Sequence, residues 1–324
     1  MQRSIVMMQS FVINAVTLLT VTSKYLIAIV GPTAIGKTAL SIKVAQHFNT
    51  EILSADSRQF FKEMYIGTAV PEPEELAAAP HHFIQHLSVD EPYSVGHFEK
   101  DAIQKITTLH KMHNELVMVG GSGMYVDAVI NGLDEFPDVK PGVREDLKTL
   151  LATDGKIALQ KLLKEKDPTY YSQVDIDNTQ RVIRALEVCL SSGKPFSSFR
   201  DKPRPARDFQ TIKIGLKADR EIMYDRINRR VDIMVENGLV EEVESLLSRK
   251  QNNALITVGY RELFEYFEGK VTLERAIENI KTNTRRFAKR QMTWYRKDTS
   301  IHWFDFETPF EEIASFLNKK THHS

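Results

Sequence analysis

The eight residues G-P-T-A-I-G-K-T, Gly31 to Thr38, limit what this chain can fold into more than any other stretch. They follow an unbroken apolar run, Tyr25 to Val30, and precede apolar residues at helical spacing, Leu40, Val44 and Phe48. Strand, glycine-rich loop and helix in that order is the setting in which a Gly-x-x-x-x-Gly-Lys-Thr pattern cradles phosphate. Its four fixed positions coincide by accident in about one chain in a hundred of this length. The glycines let backbone N–H groups converge on phosphate oxygens, and the helix N-terminus adds positive potential. Lys37 supplies a charge, and the Thr38 hydroxyl suits a magnesium ion. The pattern does not say whether the phosphates belong to a nucleotide.

Two further apolar runs, Glu51 to Ala55 and Leu116 to Val119, enclose a helical stretch from Val95 to His110. Strands alternating with helices predict an α/β fold, a P-loop NTPase-like parallel sheet flanked by helices. From Pro137 to Pro205 helical periodicity takes over, bounded by Pro141, Pro168 and the polar run Lys194 to Arg207, which reads as a helical insertion. Thr211 to Leu216 returns to the sheet, helices follow over about Asp219 to Lys250, Tyr260 to Phe267 and Leu273 to Tyr295, and Ile301 to Phe306 is a last strand. Leu273, Ile277, Ile280 and Phe287 share one face of the third helix. The expected organisation is a core of residues 24–136 and 208–324 interrupted by the insertion at 137–207. The leader, 1–23, holds one apolar run too short for a membrane span, readable as a signal sequence or as a disordered or miscalled start, with Met7 and Met8 as other starts.

Composition removes several function classes. Forty-three basic and 43 acidic residues cancel, so any nucleic-acid contact must come from local charge. A single cysteine, Cys189, excludes an internal disulfide and a multi-cysteine zinc site. The histidines His81, His82 and His86 lack further ligands at metal-binding spacing.

The strand Leu116 to Val119 ends in G-G-S-G-M-Y, Gly120 to Tyr125, with glycine where a motor NTPase carries its acidic magnesium ligand. Such backbone suits close approach of a ligand, or simply a tight turn. The strand that does end in a carboxylate gives S-A-D-S-R-Q, Ser54 to Gln59, and puts Asp56 beside the P-loop. Asp56 can ligand magnesium, cap a following helix or act as a general base; spacing does not choose. The segment Thr282 to Lys297 carries six basic residues, the aromatic pair Trp294 and Tyr295, and no acid. It is either a phosphodiester-binding surface or a solvated helix whose Trp294 and Tyr295 face the core. Arg181 and Arg184 lie at i, i+3 on one helix face of the insertion.

Together these segments resemble the tRNA dimethylallyltransferases, also called tRNA isopentenyltransferases. The resemblance runs from Leu26 to about Phe306, through G-P-T-A-I-G-K-T, A-D-S-R-Q-F-F, I-G-T-A-V-P (Ile66 to Pro71), P-H-H-F-I (Pro80 to Ile84), G-G-S-G-M-Y, Q-R-V-I-R-A-L-E-V (Gln180 to Val188), D-R-I-N-R-R-V (Asp225 to Val231), G-Y-R-E (Gly259 to Glu262) and K-R-Q-M-T-W-Y-R (Lys289 to Arg296). The chain departs from the pattern at Ile35, where serine is usual, at Tyr65, where aspartate is frequent, and at Val70, which replaces a common lysine. It lacks the zinc finger of eukaryotic relatives and so is similar to the bacterial type.

The resemblance implies transfer of a dimethylallyl group from its diphosphate to N6 of the adenosine 3′ of the anticodon, in tRNAs reading codons that begin with U. In that reading Gly31, Pro32, Thr33, Ala34, Ile35, Gly36, Lys37 and Thr38 hold the donor's diphosphate, with Mg2+ at Thr38. Arg230 assists, with Arg226 as the alternative, and Asp56 accepts the N6 proton. Contacts to tRNA are implied at Asp56, Ser57, Arg58 and Gln59, at Ser122, and at Gln180, Arg181, Val182, Ile183 and Arg184. The expected partners are the tRNA anticodon stem-loop and dimethylallyl diphosphate, with no membrane; a cytoplasmic monomer is expected.

Overall fold

In the computed structural model, residues 23–204 and 206–321 are described; the leader lies, up to residue 22, outside them. Six strands, β1 (Tyr25–Val30), β2 (Ile52–Ser54), β3 (His81–His82), β4 (Glu115–Val119), β5 (Gln210–Lys217) and β6 (His302–Asp305), form a sheet in the order β3-β2-β4-β1-β5-β6. Every pairing is parallel. The helices are α1 (Lys37–Phe48), α2 (Pro73–Ala78), α3 (Val95–Leu109), α4 (Gly123–Asn131), α5 (Val143–Lys166), α6 (Pro168–Tyr171), α7 (Thr179–Ser192), α8 (Arg220–Glu236), α9 (Leu239–Ser245), α10 (Tyr260–Phe267), α11 (Leu273–Tyr295) and α12 (Phe310–Thr321).

The continuous apolar run of β1 is explained by burial on both faces, as in the middle of a helix-covered parallel sheet. Leu26, Ala28 and Val30 join one core, with Leu53, Leu116 and Met118, beneath α3, α4 and the C-terminal helices. Ile27 and Ile29 join the other, with Val117 and Ile214, beneath α1 and α12. This period of two uses each strand residue for one face or the other.

Helices α5 to α7 surround a separate core of Leu147, Leu159, Leu163, Val182, Ile183 and Leu186. Gly155, at φ +75°, breaks the helical path within α5. Buried Asp167 receives Tyr170 N–H at 2.9 Å and Ser197 N–H at 2.7 Å, which ties the start of α6 to the turn Phe196–Phe199. The returning segment is clamped to the end of α4: Arg207 donates to the carbonyls of Val129 and Ala128, both at 2.9 Å, and Arg204 to that of Gly132 at 2.9 Å. The Ala128 carbonyl also accepts the Gly132 N–H at 2.9 Å, and the arginines add donors to the carbonyls at this helix end.

Three elements carry little sequence signal. Strand β3 is two residues long, α2 is a six-residue helix without buried positions, and α12 follows the last strand. Phe287 departs from the face expected of it: Ile280 is 2% exposed, whereas Phe287 is 37% exposed. Ala288, Gln291 and Tyr295 keep α11 packed beyond this point, so Phe287 sits beside the buried stripe and lines a cavity wall.

Candidate functional site

Because every strand is parallel, the loops after β1, β2 and β4 emerge at one edge of the sheet, with β1 in the middle. The P-loop follows β1, Asp56 follows β2 and Gly120 follows β4. Gly120 lies so close to the β2 exit that a Cβ there would stand 2.7 Å from the Ala55 carbonyl oxygen. An aspartate at this position is therefore sterically barred, which accounts for glycine where motor NTPases carry a carboxylate.

In the P-loop Ala34 and Gly36 hold left-handed conformations, φ +63° and +106°. Such turns aim successive amide N–H groups into a shared concavity. Lys37 folds back over the loop, its Nζ donating to the Pro32 carbonyl at 2.7 Å. Burial, seconded by Arg230 and opposed by Asp56, pushes the Lys37 ammonium down to about 8. Ile35 packs into the second core, so the residue in serine's usual place contributes to packing while it borders the P-loop cavity.

Helix α8 brings two arginines to the loop, and their roles differ. Arg226 donates through Nε to the Ala34 carbonyl at 2.8 Å and lies 5.2 Å from the Phe306 ring, so it buttresses the loop. Arg230 makes no hydrogen bond or ion pair among the described residues. Burial lowers its pKa, with Asp56 and Glu75 opposing. A partly buried guanidinium with no side-chain partner among the described residues is free to take an anion.

No helix follows Asp56, so helix capping is excluded for it. It closes a turn, with Oδ1 accepting Arg58 N–H at 3.0 Å and its carbonyl accepting Gln59 N–H at 3.2 Å. Its other carboxylate oxygen is left for the cavity. Ser57 and Ser122 join hydroxyl to hydroxyl at 3.1 Å, linking the loops after β2 and β4.

Three residues expected to touch RNA are otherwise occupied. Gln59 is buried, and its amide nitrogen donates to the Ala69 carbonyl at 2.9 Å while its oxygen accepts from Ser54 at 3.2 Å. Both ends of this amide are paired within the fold, although Gln59 still borders the P-loop cavity. Val182 and Ile183 are 1% and 3% exposed in the insertion core, which withdraws their side chains from contact. Gln180, Arg181 and Arg184, by contrast, are exposed. Arg58 is half committed, donating to the Ala254 carbonyl at 2.9 Å.

A channel runs through these groups. One cavity of about 730 Å³ contains the P-loop with Lys37, Thr38, Arg226 and Arg230. Another of about 440 Å³ is apolar, walled by Ile227, Val231, Met234, Leu239, Ile280 and Phe287. Asp56, Thr33, Gly121, Arg230 and Gln291 border both, so Asp56 sits where the P-loop half meets the apolar half.

The sequence did not single out two positioning groups. Gln291 accepts Thr33 N–H at 2.9 Å and donates to the Gly121 carbonyl at 2.9 Å, bolting the P-loop to the loop after β4. It stands in K-R-Q-M-T-W-Y-R, where the neighbouring charges dominate the pattern. Glu242 receives the N–H groups of Tyr65 (2.9 Å), Ile66 (2.6 Å) and Gly67 (3.0 Å) and the Tyr260 hydroxyl (2.6 Å), fixing the I-G-T-A loop against the channel. The K-R-Q-M-T-W-Y-R aromatics divide: Tyr295 is buried, and Trp294, 43% exposed, stands at the apolar cavity.

A P-loop α/β core whose phosphate cradle opens into an apolar channel with a carboxylate at the junction defines a class of enzyme that handles a diphosphate attached to an apolar group. Residues 59–298 match the family model for IPP transferase. The chain belongs to the IPP transferase family. It is 59% identical over 298 residues to the tRNA dimethylallyltransferase of Christiangramia forsetii, covering 92% of this chain and 99% of that one. Among solved structures, the full-length tRNA isopentenylpyrophosphate transferase of Bacillus halodurans is 38% identical with a TM-score of 0.70, over 93% of this chain and 97% of that one. A eukaryotic dimethylallyltransferase acting on tRNA is 25% identical with a TM-score of 0.80, over 93% of this chain and 80% of that one. No helix among the described residues is long and apolar enough to cross a membrane.

Proposed function

We propose that this protein transfers the dimethylallyl group of dimethylallyl diphosphate to N6 of the adenosine 3′ of the anticodon in tRNAs reading codons that begin with U, as a cytoplasmic enzyme. The observation that carries this is the continuity of the two cavities: an unpaired arginine and a P-loop lie at one end, apolar walls at the other, and Asp56 at their junction. That apolar half suits the hydrocarbon end of a prenyl donor.

The donor's diphosphate lies on the P-loop amides, Lys37 and Arg230. As the carbon–oxygen bond of the donor breaks, negative charge grows on the departing diphosphate, and these fixed donors favour that change. The new bond forms between N6 and the freed allylic carbon, and N6 gives its proton to Asp56. The adenine's lone pair is delocalised into its ring, which is why a positioned proton acceptor matters. An adenine stacked in an anticodon loop must leave the stack to reach the junction. The insertion, 137–207, embraces the anticodon stem through Gln180, Arg181 and Arg184, while Ser57, Arg58 and Ser122 border the channel.

Mg2+ fits the Thr38 hydroxyl, which lines the polar cavity without a hydrogen-bond partner among the described residues. Among those residues no cluster of three His, Cys, Asp or Glu side chains could cage a metal. The ion would therefore be held by Thr38, water and the diphosphate, the usual habit of Mg2+, and would supply charge neutralisation.

Labelled dimethylallyl diphosphate, ATP and unmodified tRNA offered in separate pairings test the proposal. Label should enter RNA only when the prenyl donor and tRNA are both present. A phosphorylated product formed from ATP would replace this reading with a small-molecule kinase.

A further inference from the structure

A third cavity, of about 950 Å³, separates the insertion from the core, and Met124 and Trp294 border both it and the apolar channel. The third cavity is thus continuous with the apolar channel at Met124 and Trp294, which leaves room for the backbone of an RNA strand whose base enters there. The far wall carries Glu187 of α7, only 2% exposed, with two half-exposed arginines on it. Arg144 of α5 places Nε 2.8 Å from Glu187 Oε1, and Arg184 of α7 donates through Nη1 to Oε2 at 3.3 Å. Arg184 also lies 5.6 Å from the Phe136 ring. The Arg144 contact is an ion pair without an aligned hydrogen bond, since Oε1 accepts none in this geometry.

Resting on the tRNA reading above, we propose that Arg144 and Arg184 form a two-pronged grip on the phosphodiester backbone beside the modified base, with Glu187 as the positioning residue that holds them apart and aimed into the cavity. Two guanidinium groups share one carboxylate, so one positive charge is left over at this wall. Each arginine keeps a solvent-facing edge of its five-donor fork for phosphate oxygens. Of the other carboxylates bordering the cavity, Asp134 pairs with Arg204 at 2.8 Å, Asp127 accepts Trp294 Nε1–H at 2.8 Å, and Asp138 is exposed. Arg144 stands 40 positions before Arg184 on another helix, so its membership in the site comes from the packing of α5 against α7.

The test is binding of an unmodified anticodon stem-loop RNA to the full chain across a range of salt, with donor affinity measured in parallel. Arg144→Ala should weaken RNA binding about tenfold and flatten the log Kd against log salt slope by roughly 0.7, one lost single-strand phosphate contact. Donor affinity should stay within about twofold, which also reports an intact fold. Arg144→Lys, which keeps the charge without the fork, should restore the slope and only part of the affinity. In a Glu187→Gln background the Arg144→Ala loss should shrink to about threefold or less, because the prong is no longer aimed. Wild-type RNA affinity and slope in Arg144→Ala would overturn the grip alone. An undiminished Arg144→Ala loss in the Glu187→Gln background would remove Glu187 from it. Wild-type protein that binds the prenyl donor but no RNA would bring down the tRNA reading and the grip together.

Discussion

Gln291 and Thr33, 258 positions apart, meet in a 2.9 Å hydrogen bond from the Thr33 amide N–H to the Gln291 side-chain oxygen. The same side chain donates to Gly121. The phosphate loop and the loop after β4 are thus spaced by one buried amide on the basic helix α11. Gln291→Ala strands a main-chain donor and an acceptor, each lost buried partner costing about 1–3 kcal/mol. The expected outcome is a KM for the prenyl donor raised about tenfold or more with a smaller fall in kcat, measured by steady-state kinetics on an otherwise folded protein.

Asp56 is assigned the proton of N6. Asp56→Asn keeps the turn, since an amide oxygen can still accept Arg58 N–H, but removes the base. kcat should fall by about 10²- to 10⁴-fold while donor and RNA binding persist. Near-normal turnover at saturating substrates would refute the assignment.

Lys37 sets a pH dependence whose direction follows from its environment. In the free site burial holds its ammonium down at about 8. A bound diphosphate favours the charged form and raises that value, so binding takes up a proton in the interval between the two. Diphosphate affinity should be flat with respect to Lys37 below about pH 8 and fall up to about tenfold per unit above it. Titration calorimetry with inorganic pyrophosphate in two buffers of different ionisation heat checks the proton uptake. Lys37→Ala should bind weakly, with the step above about pH 8 gone.

Glu242 gathers three consecutive amide N–H groups and the hydroxyl of buried Tyr260. Burial, with Glu242 beside it, raises the Tyr260 phenol well above its ordinary value, so it stays a donor. Glu242→Ala leaves those four donors without their acceptor and should lower stability by about 3 kcal/mol, read from urea unfolding. Donor binding should weaken too, because Gly67 and Thr68 of the released loop border the channel.

Much of the fold was legible because its signals are local. The apolar runs of β1, β4 and β5 mark strands buried on both faces, and the limits expected for Tyr260–Phe267 and Leu273–Tyr295 coincide with α10 and α11. The two-residue β3 escaped notice because so short a strand has no periodicity, and α2 because it buries no side chain. At the site, the P-loop was visible because Gly-x-x-x-x-Gly-Lys-Thr sits between a strand and a helix. The burial of Gln59, Val182 and Ile183 was not legible because a motif does not tell which of its members face inward.

The sequence alone determined the phosphate cradle, the alternation of strands and helices and, by resemblance, the family, since each rests on residues adjacent in the chain. Tertiary structure decided which arginine is bound to the loop and which stands free, where the apolar channel runs, and that Gln291, Glu242 and Arg144 belong to the site. Those are relations between side chains far apart in sequence, fixed by how the parallel sheet and the helices over it pack, and local propensity holds no record of them.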